Sequence, residues 1–397
     1  MTTRSARSTR FIAHVAALVT VVAFVSATPA EARVDRGERR AGAVQVVGNG
    51  YGHGHGMSQW GAQRQAERGR SYRQILGFYY QGLTYGSTTG RMRVWISGDT
   101  TDDVVVVARP ALKVRALGNG KTFRLKKPAA RLWRIKSAAG GSRSAIAWKG
   151  ASGGWRTVRT VAGPAEFFGG GLATTLVTPT GRHAFRGKLR SARPSPTSAR
   201  RDTVNVVTLD DYIQGVVPRE VYTSWRPAAL RAQAVAARTY AAHERATPLA
   251  RHYDICDTTA CQVYGGVAGE AASTNAAIRA TARQVLLHRG EPAFTQYSAS
   301  NGGWTAQGSQ PYLVAQPDPY DDTYRGVTDS IAPGELQRAF PAIGTFERVQ
   351  VLERDGNGQW GGRVLSIRVV GSQGSATVSG ESFRSSFGLN TTWFQVR

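Results

Sequence analysis

Val204–Arg245 reads VNVVTLDDYIQGVVPREVYTSWRPAALRAQAVAARTYAAHER, and the organisation of the chain follows from it. The apolar run Val204–Val207 predicts a strand. Thr208 with Asp211 three residues on has the form of a capping box, opening a short helix through Tyr212 that Gly215 ends. Val216-Val217-Pro218 then places Glu220 on an apolar connection between two helical elements. Ser224 is an N-cap candidate, Pro227 suits a first helical turn, and Ala228–Arg245 has high helix propensity. A carboxylate among valines and prolines is a candidate for a raised pKa, because desolvation disfavours its charged form. The plain alternative is a solvated or capping glutamate, the common fate of a Glu near a helix start.

A second stretch, Gly48–Gly61, reads GNGYGHGHGMSQWG. Alternating glycines let backbone approach a ligand closely. His53 and His55 could chelate a metal only on an extended segment, and a lone His-x-His is a weak metal signal. Ser58 or Met57 begins a helix that places Ala62 and Ala66 on one face, and Ser71 caps another carrying Ile75, Leu76, Tyr79 and Tyr80.

Together these stretches resemble the SpoIID/LytB family of cell-wall proteins. The resemblance rests on DDYIQGVVPREV, on PAALRAQAVAARTYA, on the Gly-His-Gly-x-Gly-Met-Ser-Gln-x-Gly-Ala pattern met by Gly52–Ala62, on Gln262-Val263-Tyr264-Gly265-Gly266, and on Tyr297-Ser298-Ala299-Ser300-Asn301-Gly302-Gly303. It implies an α+β fold, a mixed core of helices and antiparallel strands, joined here by a β-rich basic subdomain. It implies that Glu220 is the catalytic acid of a peptidoglycan lytic transglycosylase. His53, Ser58, Gln59, Gln233, Arg238, Tyr297, Ser298, Ser300 and Asn301 are the substrate-binding residues it suggests. The histidine–glycine motif closes the domain in the usual family order and opens it here. Residues 46–86 are therefore expected to fold back beside the later core, as a permuted part of one domain; chain termini commonly lie close in a compact domain.

The chain begins with an export signal. Arg4, Arg7 and Arg10 precede the apolar run Phe11–Ala27, and Ala30-Glu31-Ala32 is a small-residue cleavage site. We read 1–32 as a cleaved signal peptide, 33–45 as a disordered leader, and the protein as secreted or wall-associated. A signal-anchor helix is the alternative, but the run is at the short end for a bilayer. The remaining divisions are 87–200, a basic β-rich subdomain, 201–320, the family's catalytic core, and 321–397, a closing α/β segment.

The sequence carries 51 Lys and Arg against 26 acids, a net charge of +25. From Arg109 to Arg201 there are 21 basic residues and one acid, Glu166. Such a stretch implies a polyanionic partner. Nucleic acid is the generic guess, but no nucleic-acid motif is present. The export signal points instead to anionic wall polymers. Solvation and protection of strand edges is the plain alternative for these cations.

Cys256 and Cys261 are the only cysteines. Five residues apart in an exported protein, they most simply close a disulfide loop. Zinc held by His252, Cys256 and Cys261 is the alternative, and the family resemblance supplies a precedent for zinc in this loop; otherwise no cofactor is expected. Ser298 and Ser300 lack the Gly-x-Ser-x-Gly elbow of a serine hydrolase, and Cys256 with His252 lacks a third group for a cysteine protease. Two functions remain open: a lytic transglycosylase acting on glycan strands, or a binding protein without its own chemistry that enhances a wall amidase.

Overall fold

Asp202–Thr208 forms the strand expected at Val204–Val207, near the middle of a seven-stranded sheet. The computed structural model describes residues 42–247 and 251–397. The expected signal peptide and the leader up to residue 41 lie outside the described residues. Val44 and Gln45, expected in the leader, already belong to the strand Val44–Gly48. Seven α-helices occur among the described residues: α1 (Gln59–Glu67), α2 (Tyr72–Tyr79), α3 (Leu209–Glu220), α4 (Pro227–Ala246), α5 (Ala272–Ala280), α6 (Pro333–Ala339) and α7 (Gly380–Ser386). With the many antiparallel strands they make a mixed α+β fold.

The seven-stranded sheet takes strands from both sides of the expected boundary at residue 200. Asp202–Thr208 pairs with Arg91–Trp95 on one edge and with Lys188–Ala192 on the other. A six-stranded sheet, from Asp103–Val107 to Gly181–Phe185 in sequence, faces it. The two share one apolar core in which Val94, Val114, Phe167 and Leu189 meet Val106, Trp133, Ile135 and Leu176. Gly181–Phe185 and Lys188–Ala192 are separate strands, because the chain leaves one sheet after Phe185 and enters the other at Lys188. Ala165–Phe168, not expected as a strand, bridges Lys188–Ala192 and Lys113–Ala116.

Helix α3 docks on this same core through Leu209, Tyr212, Ile213, Val216 and Val217. Their spacing is that of one helical face. Here the sequence expectation needs correction: Gly215 does not end the helix. A side chain at Gly215 would meet the ring of Tyr264 at 2.5 Å, so this glycine serves close packing rather than termination. Thr208 caps the helix as expected, accepting from the Asp211 N–H. The helix runs on through Pro218, and Glu220 is its last residue rather than part of a loose connection.

α4 is buried nearly all round, with Ala229, Leu230, Ala232, Ala234, Val235, Ala236, Ala237, Ala241 and Ala242 inside. Small side chains let α1, α2, α3 and α5 pack close to its axis. Its N-cap is Arg226 rather than Ser224, and α5 is capped by Ala271 rather than Ser273. The expected return of residues 46–86 is realised in strand pairing: Met57–Ser58 runs parallel to Tyr297–Ser298, and Thr84–Ser87 pairs with Gln284–His288. At the far end, Val44–Gly48 lies between Val327–Ile331 and Phe394–Val396. The closing segment adds the sheet Phe346–Arg354, Val364–Gly371, Gly374–Ser379 over its own core, which includes Phe346, Ile367, Phe383 and Phe394.

Candidate active site

Glu220 lies one further step along the buried stripe of α3, three and four residues beyond Val217 and Val216. The helix therefore carries its carboxyl to where an apolar side chain would next be buried. Burial pushes the Glu220 carboxyl up to about 6, against the pull of the Val263 N–H and the Gln59 amide. The Val263 N–H donates to Glu220 Oε1 at a long 3.3 Å. No cation stands among the causes of the shift, so the site is dominated by desolvation.

The carboxyl opens into a cleft of about 520 Å³ lined by His53, Gln59, Tyr240, Gln262, Tyr297 and Ser298 among others. A second lobe of about 320 Å³ shares Tyr51, Gln59, Arg219, Glu220 and Ala299 with the first and continues to Trp60, Tyr222 and Trp225. Glu220 and Gln59 thus stand where two lobes of one groove meet. The first lobe is rich in hydrogen-bonding groups and the second in aromatic rings.

The polar lobe is held by directed contacts. Tyr212 donates its hydroxyl proton to Gln262 Oε1 at 3.2 Å, and Gln262 Nε2 donates to the Tyr297 oxygen at 2.9 Å. The Tyr297 oxygen is thus occupied as an acceptor, and its own proton can be given to the cleft. Burial raises the Tyr297 phenol well above its ordinary range, with the Glu220 charge adding to the rise. His53 Nδ1 accepts from the His55 N–H at 3.0 Å, so its ring proton sits on Nε2. Burial, then the neighbouring His55 and Arg363, push His53 down to about 3, and it stays neutral at any ordinary pH. Gly52 sits at φ 105°, and a side chain there would strike the Ser298 Cβ at 2.7 Å. That close approach seats the histidine loop against the Tyr297–Ser298 strand.

Of the residues expected to bind substrate, His53, Gln59, Tyr297 and Ser298 line the polar lobe with Glu220. Ser58, Ser300 and Asn301 do not: all three are wholly buried in a network around Asp318 and Asp321. Ser58 Oγ donates to Asp321 Oδ2 at 2.7 Å and caps α1, Ser300 Oγ donates to the same carboxylate, and Asn301 Nδ2 donates to Asp318 Oδ2 at 2.7 Å. Arg238 is also fully buried, paired with Asp210 at 2.7 Å and donating to the carbonyls of Ala234, Gln284 and Ile278. Gln233 is buried inside α4 and lines neither lobe. These five side chains hold elements in place rather than face the groove.

Cys256 and Cys261 are joined in a disulfide. His252 Nε2 is turned to Asp202 Oδ2 at 2.7 Å. Sulfurs bonded to each other are not thiolate ligands, so the three residues as arranged do not fit a zinc ion. The disulfide closes the loop that delivers Cys261, Gln262 and Val263 to the cleft. The sequence reading missed Tyr51, Trp60, Tyr222, Trp225, Tyr240 and Tyr324 as groove residues. The available signal was aromatic side chains immediately flanking Gln59 and Glu220.

The comparisons agree with this geometry. Residues 197–288, which hold α3, α4 and the disulfide loop, match the SpoIID model, described as stage II sporulation protein. Over 115 residues the chain is 40% identical to the amidase enhancer of Bacillus subtilis (strain 168), covering 28% of this chain and 15% of that one. It is 37% identical over 117 residues to an uncharacterized protein of Brachyspira hyodysenteriae, 29% and 31% of the two chains. With stage II sporulation protein D of B. subtilis it shares 24% identity over 216 residues, 49% and 61% of the two. The matched stretches thus span less than two thirds of each of these relatives. The family model falls on the helices that carry Glu220, and sporulation protein D and an amidase enhancer are among the relatives, so residues 197–288 carry a SpoIID segment and the findings support a likeness to the SpoIID/LytB family.

Proposed function

We propose that the protein acts on the bacterial cell wall and cleaves peptidoglycan glycan strands between N-acetylmuramic acid and N-acetylglucosamine by lytic transglycosylation. The observation that carries this is a groove with one carboxyl. Among the described residues, Glu220 is the only acid lining either lobe. A hydrolytic glycosidase needs a second carboxylate to activate water or attack carbon. The aspartates on the neighbouring segments are engaged elsewhere: Asp202 with His252, Asp210 with Arg238, Asp211 with Thr208, Asp254 with Arg93 and Asp257 with Ser97.

One carboxyl suffices for an intramolecular route. Protonated Glu220 gives its proton to the glycosidic oxygen, the C1–O bond breaks, and positive charge develops on the muramic acid ring. The C6 hydroxyl of that ring then closes on C1, and its proton returns to the Glu220 carboxylate. No water is consumed, and the product ends in a 1,6-anhydro ring. A carboxyl with a pKa of about 6 is partly protonated near neutrality, as a general acid requires. His53 Nε2–H and the Tyr297 hydroxyl are donors for sugar hydroxyls or N-acetyl carbonyls. The test is mass spectrometry of denuded glycan strands after incubation: wild type yields anhydro-muramic ends and Glu220→Gln yields none. Ends carrying an added water, or undiminished release by the variant, overturn the proposal.

A second reading is favoured by the amidase enhancer among the relatives and by the basic stretch. Of the 21 cations between Arg109 and Arg201, only Arg134, Arg186, Lys188, Arg190 and Arg200 pair with a carboxylate among the described residues. Arg201 is buried and Arg109 is turned to backbone carbonyls. The exposed cations among the rest, such as Lys121, Arg124, Lys126 and Lys127, are available to anionic wall polymers, and a protein so anchored could support a wall amidase without cutting glycan. Wall pull-down without product supports this reading over the first. Export through cleavage after Ala32 belongs to either reading, and N-terminal sequencing of protein recovered outside the membrane checks it.

A further inference from the structure

We propose that the aromatic lobe of the groove, formed by Trp60, Tyr222 and Trp225, is a stacking subsite for one hexosamine ring next to the bond that Glu220 protonates. The inference rests on the glycan-cutting reading and names how the strand is gripped. The three rings contact one another, with centroids 5.9 Å apart for Trp60–Tyr222, 5.0 Å for Trp60–Trp225 and 5.7 Å for Tyr222–Trp225. They come from α1, from the turn after α3 and from the residues before α4, so three separate segments converge to build one shelf.

Exposure distinguishes this shelf from ordinary core. Six large hydrophobic side chains are exposed among the described residues, and only two of these are aromatic: Tyr51 at 45% and Tyr222 at 61%. Both line this lobe. A ring left in water at that cost, beside a catalytic carboxyl, is placed for a ligand with apolar faces. Pyranose rings present C–H faces to aromatics and hydroxyls at their edges. Opposite the shelf, Tyr324 is held at φ 46°, a region that non-glycine residues rarely enter. Its carbonyl accepts from the Gly50 N–H at 2.7 Å, and its ring meets Tyr51 edge-on at 5.3 Å.

Polar capacity is also waiting at the junction. Gln59 is 5% exposed and lines both lobes; its Nε2 lies near enough to the Glu220 carboxyl to draw its pKa down but completes no hydrogen bond. An amide donor desolvated and unpaired in this position suits an acceptor on an incoming strand, such as the bridging oxygen or an N-acetyl carbonyl. Shelf, donor and acid together read one sugar on the aromatic side and the scissile linkage at the waist.

The test is titration of the full chain with chitotetraose, followed by tryptophan fluorescence, alongside product analysis on denuded glycan. Tyr222 is exposed, so Tyr222→Ala should fold as wild type, which a matched melting curve verifies. We expect Tyr222→Ala to weaken chitotetraose about tenfold and Tyr222→Phe to leave it near wild type, since the ring face carries the contact. Trp225→Phe should remove most of the fluorescence response. Unchanged affinity in Tyr222→Ala, with anhydro ends still released by wild type, overturns the shelf and spares the cutting reaction. Binding that depends on Tyr222 without any anhydro product overturns the cutting reaction and spares the shelf. Binding of a stem peptide but not of chitotetraose overturns the sugar assignment.

Discussion

Two sets of buried carboxyls lie in the same half of the molecule, and they are treated in opposite ways. Asp321 accepts from the hydroxyls of Ser58 and Ser300 and from the N–H groups of Asn301 and Gly302. Asp318 beside it takes the Tyr79 hydroxyl and the Asn301 amide, and burial raises its carboxyl as it does that of Glu220, but it is sealed in the network and lines neither lobe. Glu220 has one long bond from Val263 and a nearby Gln59 amide. A carboxylate surrounded by donors is inert and structural. One denied them keeps a high proton affinity and can exchange that proton with a ligand.

The largest effect that would break this contrast is on turnover. Glu220→Gln should lower release of anhydro ends by about a thousandfold, within the range for loss of a general acid, measured as initial rates on denuded strands. Asp321→Ala should act on folding instead. It removes the acceptor of two hydroxyls and three backbone N–H groups, those of Asn301, Gly302 and Thr323, and we expect a loss of about 3–5 kcal/mol in denaturant unfolding. Equal destabilisation by the two substitutions would erase the distinction.

The sharper test is one of sign. The folded-state pKa of Glu220 is raised from 4.5 to about 6, so the folded protein prefers the protonated form. Its contribution to stability is full below 4.5 and is lost as pH rises through 6. Glu220→Gln should therefore be more stable than wild type by about 1–2 kcal/mol at pH 7.5, with the advantage vanishing below pH 4.5. Turnover by wild type should likewise fall as pH climbs above 6. The smallest effect concerns the loop that supplies the lone donor. Replacing Cys256 and Cys261 by serine should cost about 2 kcal/mol for so short a loop, read from the melting curve, and should weaken chitotetraose binding.

Much of this was legible in the primary structure, and the exceptions have physical reasons. The strand–helix–helix order followed from local pattern, and the resemblance singled out Glu220, which the fold places in the groove. So did the return of the histidine–glycine segment, and Gln59 indeed stands beside Glu220. The length of α3 was not legible, because Gly215 answers to the Tyr264 ring, which is distant in sequence. Ser58, Ser300 and Asn301 looked like sugar contacts for the same reason: the aspartates that claim them lie in a loop read only as Pro- and Asp-rich. Trp60 and Tyr222 flank Gln59 and Glu220 in sequence, but that they and Trp225 meet in one shelf depends on three separate segments converging.

The pairing of Val44–Gly48 with Val327–Ile331 and Phe394–Val396 has a temporal consequence. A ribosome delivers the histidine–glycine segment early, yet the strand leading into it has no neighbours until the other end of the chain emerges. Contacts of such long separation form late. The strand that leads into the histidine–glycine segment is accordingly fixed late, after the segments that carry Glu220 have already been made.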